Sequence, residues 1–108
     1  MTAYAIVDVE IHDIEAFLRY QRRVAPLLAS AGARYLARGG ELRVYHGDYN
    51  PGRLLLVEFP SLEAMDRFYS SEDYRALDAQ RDACSACRVL AVEGLSLHQR
   101  TGTPASQG

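Results

Sequence analysis

The chain has 108 residues, 48% of them hydrophobic and 24% charged, with a formal net charge of −2 and a pI near 5.9. This is the size and composition of one ordinary globular domain. The weakly acidic balance excludes the basic footprint that nucleic acid or an anionic membrane surface requires. All twelve basic residues are arginine, and without lysine there is no Schiff-base or lysine general-base chemistry. No apolar run reaches the roughly 18 residues of a membrane span. The start, Met1-Thr2-Ala3-Tyr4-Ala5, enters a strand pattern rather than a basic and then apolar leader, so a cytoplasmic protein is expected.

Residues 3 to 11 alternate as a strand, with Ala5, Val7, Val9 and Ile11 on one face and Tyr4, Ile6, Asp8 and Glu10 on the other. Asp13 is an N-cap for the helix that follows, and Glu15 sits in its first turn, where the dipole favours an anion. Ile14, Phe17, Leu18, Gln21, Val24, Ala25 and Leu28 share one helical stripe. Pro26 removes a backbone hydrogen bond and predicts a bend or loosening of the last turns. Gly32 suits the closing cap. Residues 33 to 38 read as a second strand, with Ala33, Tyr35 and Ala37 opposite Arg34, Leu36 and Arg38. Gly39-Gly40 permits a bend or bulge.

Glu41 to His46 is a short strand-like run, followed by a turn-rich segment to Gly52. Residues 53 to 59 form the clearest strand. Ser61 caps a helix carrying Leu62, Met65, Phe68 and Tyr69. Ser70 or Ser71 restarts it, and Tyr74, Leu77 and Arg81 share the next stripe. Residues 88 to 93 close the pattern. Residues 1–95 are thus expected to form one domain, and residues 96–108 a polar, mobile C-terminal tail.

The order β-α-β-β-α-β predicts an α+β, ferredoxin-like sandwich, one antiparallel sheet with helices on one face. Residues 53 to 59 are apolar on both faces, with Leu54 and Leu56 ahead of Glu58 on one and Leu55, Val57 and Phe59 on the other. Helices cover only one face. A bare second face carrying Tyr4, Ile6, Leu54 or Leu55, and Leu90 or Val89 would be an oversized exposed patch. The expected remedy is a homodimer through the sheet faces, a dimeric α/β barrel.

Tyr20 and Pro26 in the first helix, Arg38-Gly39-Gly40, Glu58-Phe59-Pro60-Ser61, and Tyr69-Ser70-Ser71-Glu72-Asp73-Tyr74 with Arg81 beyond it resemble the DUF1330 family over about residues 3 to 95. The family consists of small proteins of unknown function in the dimeric α/β-barrel superfamily. Members commonly carry proline where this chain has Ser71, and Cys84 and Cys87 are not part of the pattern. The resemblance implies the fold and the dimer, and no reaction.

Two readings stand beside each candidate residue. Glu58 ends an apolar strand, so it is either a general base of raised pKa at a pocket rim or the structural partner of Arg81 or Arg38. Arg81, its stem packed on an apolar stripe, either forks onto a carboxylate or enolate oxygen or holds Glu58 or a backbone carbonyl. Arg38 precedes glycines that either admit a ligand or make a bend. Tyr20, Tyr69 and Tyr74 offer aromatic walls with hydroxyl tips, or are core residues. His46, before a Gly-Asp turn, is a base near neutral pH or a surface loop residue, and His12 is a solvated neighbour of the N-cap. Cys84 and Cys87 form a redox couple or half a zinc site, or merely close a helix. A helix C-terminus raises thiol pKa, and His98 is too isolated to complete a metal site.

Within the superfamily, quinone-forming monooxygenases use a Trp-Asn-His type of pocket, whereas this chain has no tryptophan and only Asn50. A haem ligand would fall to His46. Isomerase-like chemistry needs a base and a cationic oxyanion binder, residue types that Glu58 with Arg81 or Arg38 supplies. The expectation is a homodimer that binds a small organic carbonyl or carboxylate ligand between sheet and helices, with no cofactor and no metal. As an enzyme it would be a cofactor-independent isomerase or lyase, with Glu58 as base, Arg38 and Arg81 on the oxyanion and Tyr20 and Tyr69 orienting the substrate. Tyr74 and His46 are further ligand contacts. The alternative is a non-catalytic ligand-binding or stress-associated dimer. An enzyme requires Glu58 within hydrogen-bond reach of open pocket volume.

Overall fold

The computed structural model describes residues 1–96 and residue 99. Of the expected tail, residues 97, 98 and 100–108, His98 among them, lie outside the described residues. The elements are β1 (Ala3–Ile11), α1 (Ile14–Ser30), β2 (Arg34–Arg38), β3 (Arg53–Phe59), α2 (Leu62–Ser70), α3 (Glu72–Arg75), α4 (Asp78–Cys84) and β4 (Ser85–Glu93). The four strands form one antiparallel sheet in the order β2-β3-β1-β4, the ferredoxin-like α+β arrangement that the element order predicts.

Strand alternation builds the core. Ala3, Ala5, Val7 and Val9 of β1 and Leu55, Val57 and Phe59 of β3 are buried beneath Phe17, Tyr20, Val24 and Leu28 of α1 and Met65 and Phe68 of α2. Ala3 pairs with the fully buried Phe59, so a small residue makes room beside a large one. Burial of a phenylalanine such as Phe59 contributes about 2–3 kcal/mol.

Side-chain caps set the helix starts. Asp13 Oδ1 accepts from the Ala16 amide at 3.1 Å, and Ser61 Oγ accepts from the Ala64 amide at 3.0 Å. Ser71 makes the break in the second helical segment. Its Oγ donates to the Phe68 carbonyl at 2.8 Å, ending α2, and accepts from the Tyr74 amide at 3.2 Å, starting α3.

Four local expectations are corrected. First, α1 runs unbroken to Ser30, because Pro26 lies on its exposed side while Val24 and Leu28 stay anchored in the core. Second, β2 contains a bulge between Tyr35 and Ala37. Tyr35 faces Val57 and Arg38 faces Leu55, so these two lie on the same, helix-facing side rather than opposite ones. Third, Glu41–His46 is not a strand, because among the described residues no strand pairs with it. Fourth, β4 begins at Ser85, three residues earlier than residue 88, since Ser85–Cys87 pair with Ile11–Val9. The sheet face away from the helices presents Tyr4, Ile6, Leu54 and Leu56, with Leu90 at 61% and Val92 at 51% exposure. Among the described residues, no helix is long and apolar enough to cross a membrane.

Candidate functional site

Between the helices and the sheet lies a cavity of about 50 Å³. Its floor is the helix-facing side of β1 and β3, including Val7, Val9, Leu55 and Val57. Its polar wall comes from five elements: Tyr20 and Gln21 of α1, Tyr35 of β2, Tyr69 of α2, Tyr74 of α3 and Cys87 of β4. At about 10–15 Å³ for each water-sized group, it holds roughly four such groups. That is far below the ~300–1,000 Å³ of a drug-sized pocket.

The aromatic wall is braced by its own packing. Tyr69 stands edge-on to both Phe68 and Tyr74, with ring centroids 4.9 and 5.0 Å apart, and Phe68 lies 4.9 Å from Tyr74. Behind Tyr74, Arg81 donates from Nη1 to the Tyr74 hydroxyl at 2.9 Å. The same guanidinium pairs with Asp78 and with Asp82, each at 2.9 Å. Burial works against the charge on Arg81, but the Asp82 and Tyr74 contacts outweigh it and hold its pKa above the ordinary value. Arg81 is therefore a permanent, already neutralised cation that fixes Tyr74.

Burial pushes the hydroxyl pKa of Tyr20 well up, reinforced by neighbouring Tyr74, and does the same to Tyr69. Burial also raises Tyr35, against an opposing pull from Arg38, and raises the Cys87 thiol. These groups stay neutral hydrogen-bonding partners at neutral pH. The Gln21 Nε2 is buried without a partner, a state that costs about 1–3 kcal/mol.

The structure thus brings Tyr20, Tyr69 and Tyr74 together, with Arg81 behind them. Glu58 is elsewhere. It points from β3 to the face away from the helices, does not line the cavity, and accepts from Arg34 Nε at 2.7 Å. Its expected partners both sit on the other side of the sheet, Arg81 because it belongs to helix α4 and Arg38 because the β2 bulge turns it there. Arg38 is exposed, with its guanidinium carbon 4.7 Å from the Tyr35 ring centroid. His46 lies exposed in the β2–β3 loop and does not line the cavity.

Cys84 ends α4, is buried, and donates to the Gln80 and Arg81 carbonyls at 3.4 Å each, whereas Cys87 belongs to β4. A raised Cys87 pKa is the opposite of an activated thiolate. Among the described residues, no cluster of three or more His, Cys, Asp or Glu side chains is arranged for a metal. Sequence reasoning missed Gln21, Tyr35 and Cys87 as site residues. The available signal was Gln21, a polar residue on an otherwise apolar helical stripe.

The model of the family described as domain of unknown function (DUF1330) matches residues 2–95. None of the curated proteins matches the chain. Among solved structures, the RPA0582 protein of unknown function from Rhodopseudomonas palustris is similar with a TM-score of 0.71 at 18% identity, covering 88% of this chain and 83% of that one. A dimeric protein of unknown function and ferredoxin-like fold from Bacteroides fragilis gives 0.56 at 13% identity, covering 86% and 96%. SnoaB, a cofactor-independent oxygenase from Streptomyces nogalater, gives 0.61 at 12% identity, covering 88% and 94%. At these identities the likeness is one of fold. The family match spans nearly all of the described domain, and the chain belongs to the DUF1330 family.

Proposed function

We propose that the protein is a homodimer, paired through its open sheet faces, that binds a small organic molecule in the cavity between sheet and helices. The observation that carries the binding site is a partly open cavity of about 50 Å³ walled by Tyr20, Tyr69 and Tyr74, with a buried, unpaired amide nitrogen on the lining residue Gln21. A merely structural core would close over such a space or pair such a group. The dimer is supported by the sheet face on which half-buried Ile6, Leu54 and Leu56 adjoin exposed Leu90 and Val92, and by the dimeric Bacteroides fragilis relative in fold.

Of the two readings of the site, the non-catalytic one has more support. Proton abstraction needs a base at the ligand. Among the described residues, no carboxylate or imidazole lines the cavity, and burial raises the pKa of Tyr20, Tyr35, Tyr69 and Cys87 on its wall. Glu58 is occupied by Arg34 on the opposite face. Isomerase or lyase chemistry would need a base supplied by the ligand or by a rearrangement.

A thermal-shift panel of small carbonyls, carboxylates and phenols tests the site, run on the wild type and on a cavity-filling Val24→Phe variant. Binding raises Tm with the logarithm of ligand concentration over Kd. The expected result is a rise in the wild type that the variant loses. No rise across the panel would sink the binding reading.

A further inference from the structure

The connection between β2 and β3 is out of proportion to its task. The two strands are antiparallel neighbours, which a hairpin loop of about 2–5 residues can join. Here residues 39–52 intervene, a length at which a loop without secondary structure commonly serves a function. Within it Leu42 and Val44 alternate with Arg43 and Tyr45 in a strand-like pattern. Leu42, Val44, Tyr45 and Tyr49 are all exposed, Tyr45 to 82%. Among the described residues, no backbone group of residues 41–46 has a backbone hydrogen-bonding partner. One segment therefore holds out apolar side chains and free peptide groups together.

This loop is rooted on the open side of the sheet. Asp8 shares the face of Tyr4 and Ile6 and pairs with Leu54 and Arg88. Its Oδ1 accepts from the Gly52 amide at 3.0 Å, and its Oδ2 meets Arg88 Nη2 at 3.5 Å. A Cβ on Gly52 would collide with the Val9 carbonyl, so the returning limb lies directly against the end of β1. Asn50 and Gly52 border one surface depression with Asp8, Glu10, Ala86 and Arg88, which places the limb toward β4 on the open side. That end of the face is charged, and its apolar part, around Ile6, Leu56 and Leu90, lies further along the strands. The loop brings apolar side chains to the end that lacks them. We propose that residues 41–46 are an arm that docks on the open sheet face of a second copy of this chain, Leu42, Val44 and Tyr45 packing on that copy's apolar side chains. The inference rests on the proposed sheet-face dimer and adds the segment that completes its interface. Each copy carries one arm and one open face, so two copies satisfy both and the contact closes on a twofold axis. Glu41 and Arg43 pair with each other at 3.0 Å, which leaves the arm without the net positive charge that a nucleic acid or an anionic membrane would select.

The test is the dimer Kd of the full chain by sedimentation equilibrium, for the wild type, for Leu42→Asp combined with Tyr45→Asp, and for Leu18→Asp. The last puts the same charge on an exposed residue of α1, in the helix layer across the sheet. The arm variant should raise Kd about tenfold or more, because docking would take two carboxylates out of water. Its far-UV circular dichroism should match the wild type, since both changed side chains are exposed. Leu18→Asp should leave Kd unchanged. Isotope-filtered NOEs in an equimolar mixture of labelled and unlabelled wild-type chain then locate the contact, with Tyr45 ring protons of one copy expected to reach methyls of Leu54, Leu56 or Leu90 in the other. An arm variant with the wild-type Kd, in a protein that Leu90→Asp does dissociate, would overturn the arm and leave the sheet-face dimer standing. Intermolecular NOEs from Tyr45 that reach only the helices would overturn the docking site. A wild type that stays monomeric at every concentration would remove the dimer and the arm with it.

Discussion

Glu58→Gln separates a structural carboxylate from a catalytic one. In the structure Arg34 Nε donates to Glu58 Oε1 at 2.7 Å, with the Glu58 side chain 20% exposed and that of Arg34 71% exposed. With one partner so open to solvent, water screening applies, and the Coulomb attraction at this separation is only about 1.5 kcal/mol. Ordering the arginine offsets part of that, which leaves a net contribution of about 0.5–1 kcal/mol. Glutamine retains a neutral hydrogen bond, so the variant should lose no more than this amount. For a domain of this size that is a fall in Tm of roughly 2–8 °C.

The assay is a double-mutant cycle of Glu58→Gln and Arg34→Gln, with Tm measured at one fixed protein concentration because dimer formation is linked to stability. The two changes should be non-additive, and their coupling should shrink when salt is raised. Ligand affinity in the cavity should change less than twofold. A Glu58→Gln protein with unchanged Tm, additive with Arg34→Gln and deficient in ligand binding would refute the assignment of Glu58 to the sheet.

Three further outcomes are expected. Leu90→Asp places a charge on the open sheet face at a residue already 61% exposed, so the protomer should fold with a loss within about 0.5 kcal/mol, while light scattering should report half the dimer mass. An unchanged mass would remove the sheet face from the dimer interface. Gly32→Ala should cost about 1–2 kcal/mol, because Gly32 has φ +77° and an added Cβ would come 2.9 Å from Pro60 Cγ. A denaturant midpoint equal to wild type would refute it. Tyr20, Tyr35 and Tyr69 have folded pKa values raised above the ordinary value of 10.0. Their stabilising contribution is therefore complete below that pH and is lost as pH rises toward the folded values. Each late tyrosine removes about 1.4 kcal/mol per pH unit over that window. Tm should be flat to about pH 9.5 and then fall, with part of the phenolate absorbance appearing only on unfolding. Full titration of all seven tyrosines at their ordinary pKa in the folded protein would contradict the buried wall.

What the sequence determined by itself is local or periodic. The alternation in β1 and β3, the Asp13, Ser61 and Ser71 caps, and the stripe that unites Tyr74 with Arg81 depend on residues within a turn or two of one another. They hold for whatever packs against them. The two-faced apolar character of residues 53 to 59 likewise belongs to the chain alone. Tertiary structure decided the rest. Which arginine meets Glu58 depends on the register of β2 against β3, and one bulged residue sends Arg38 to the helix side while Arg34 reaches the carboxylate. Glu41–His46 has the composition of a strand, but a strand exists only where another supplies its hydrogen bonds. The cavity is more distant still from the sequence, because it is the space left where α1, α2, α3 and the four strands fail to fill the volume between them. No single segment encodes a void. Gln21 came to line that void only when α1 packed against the sheet.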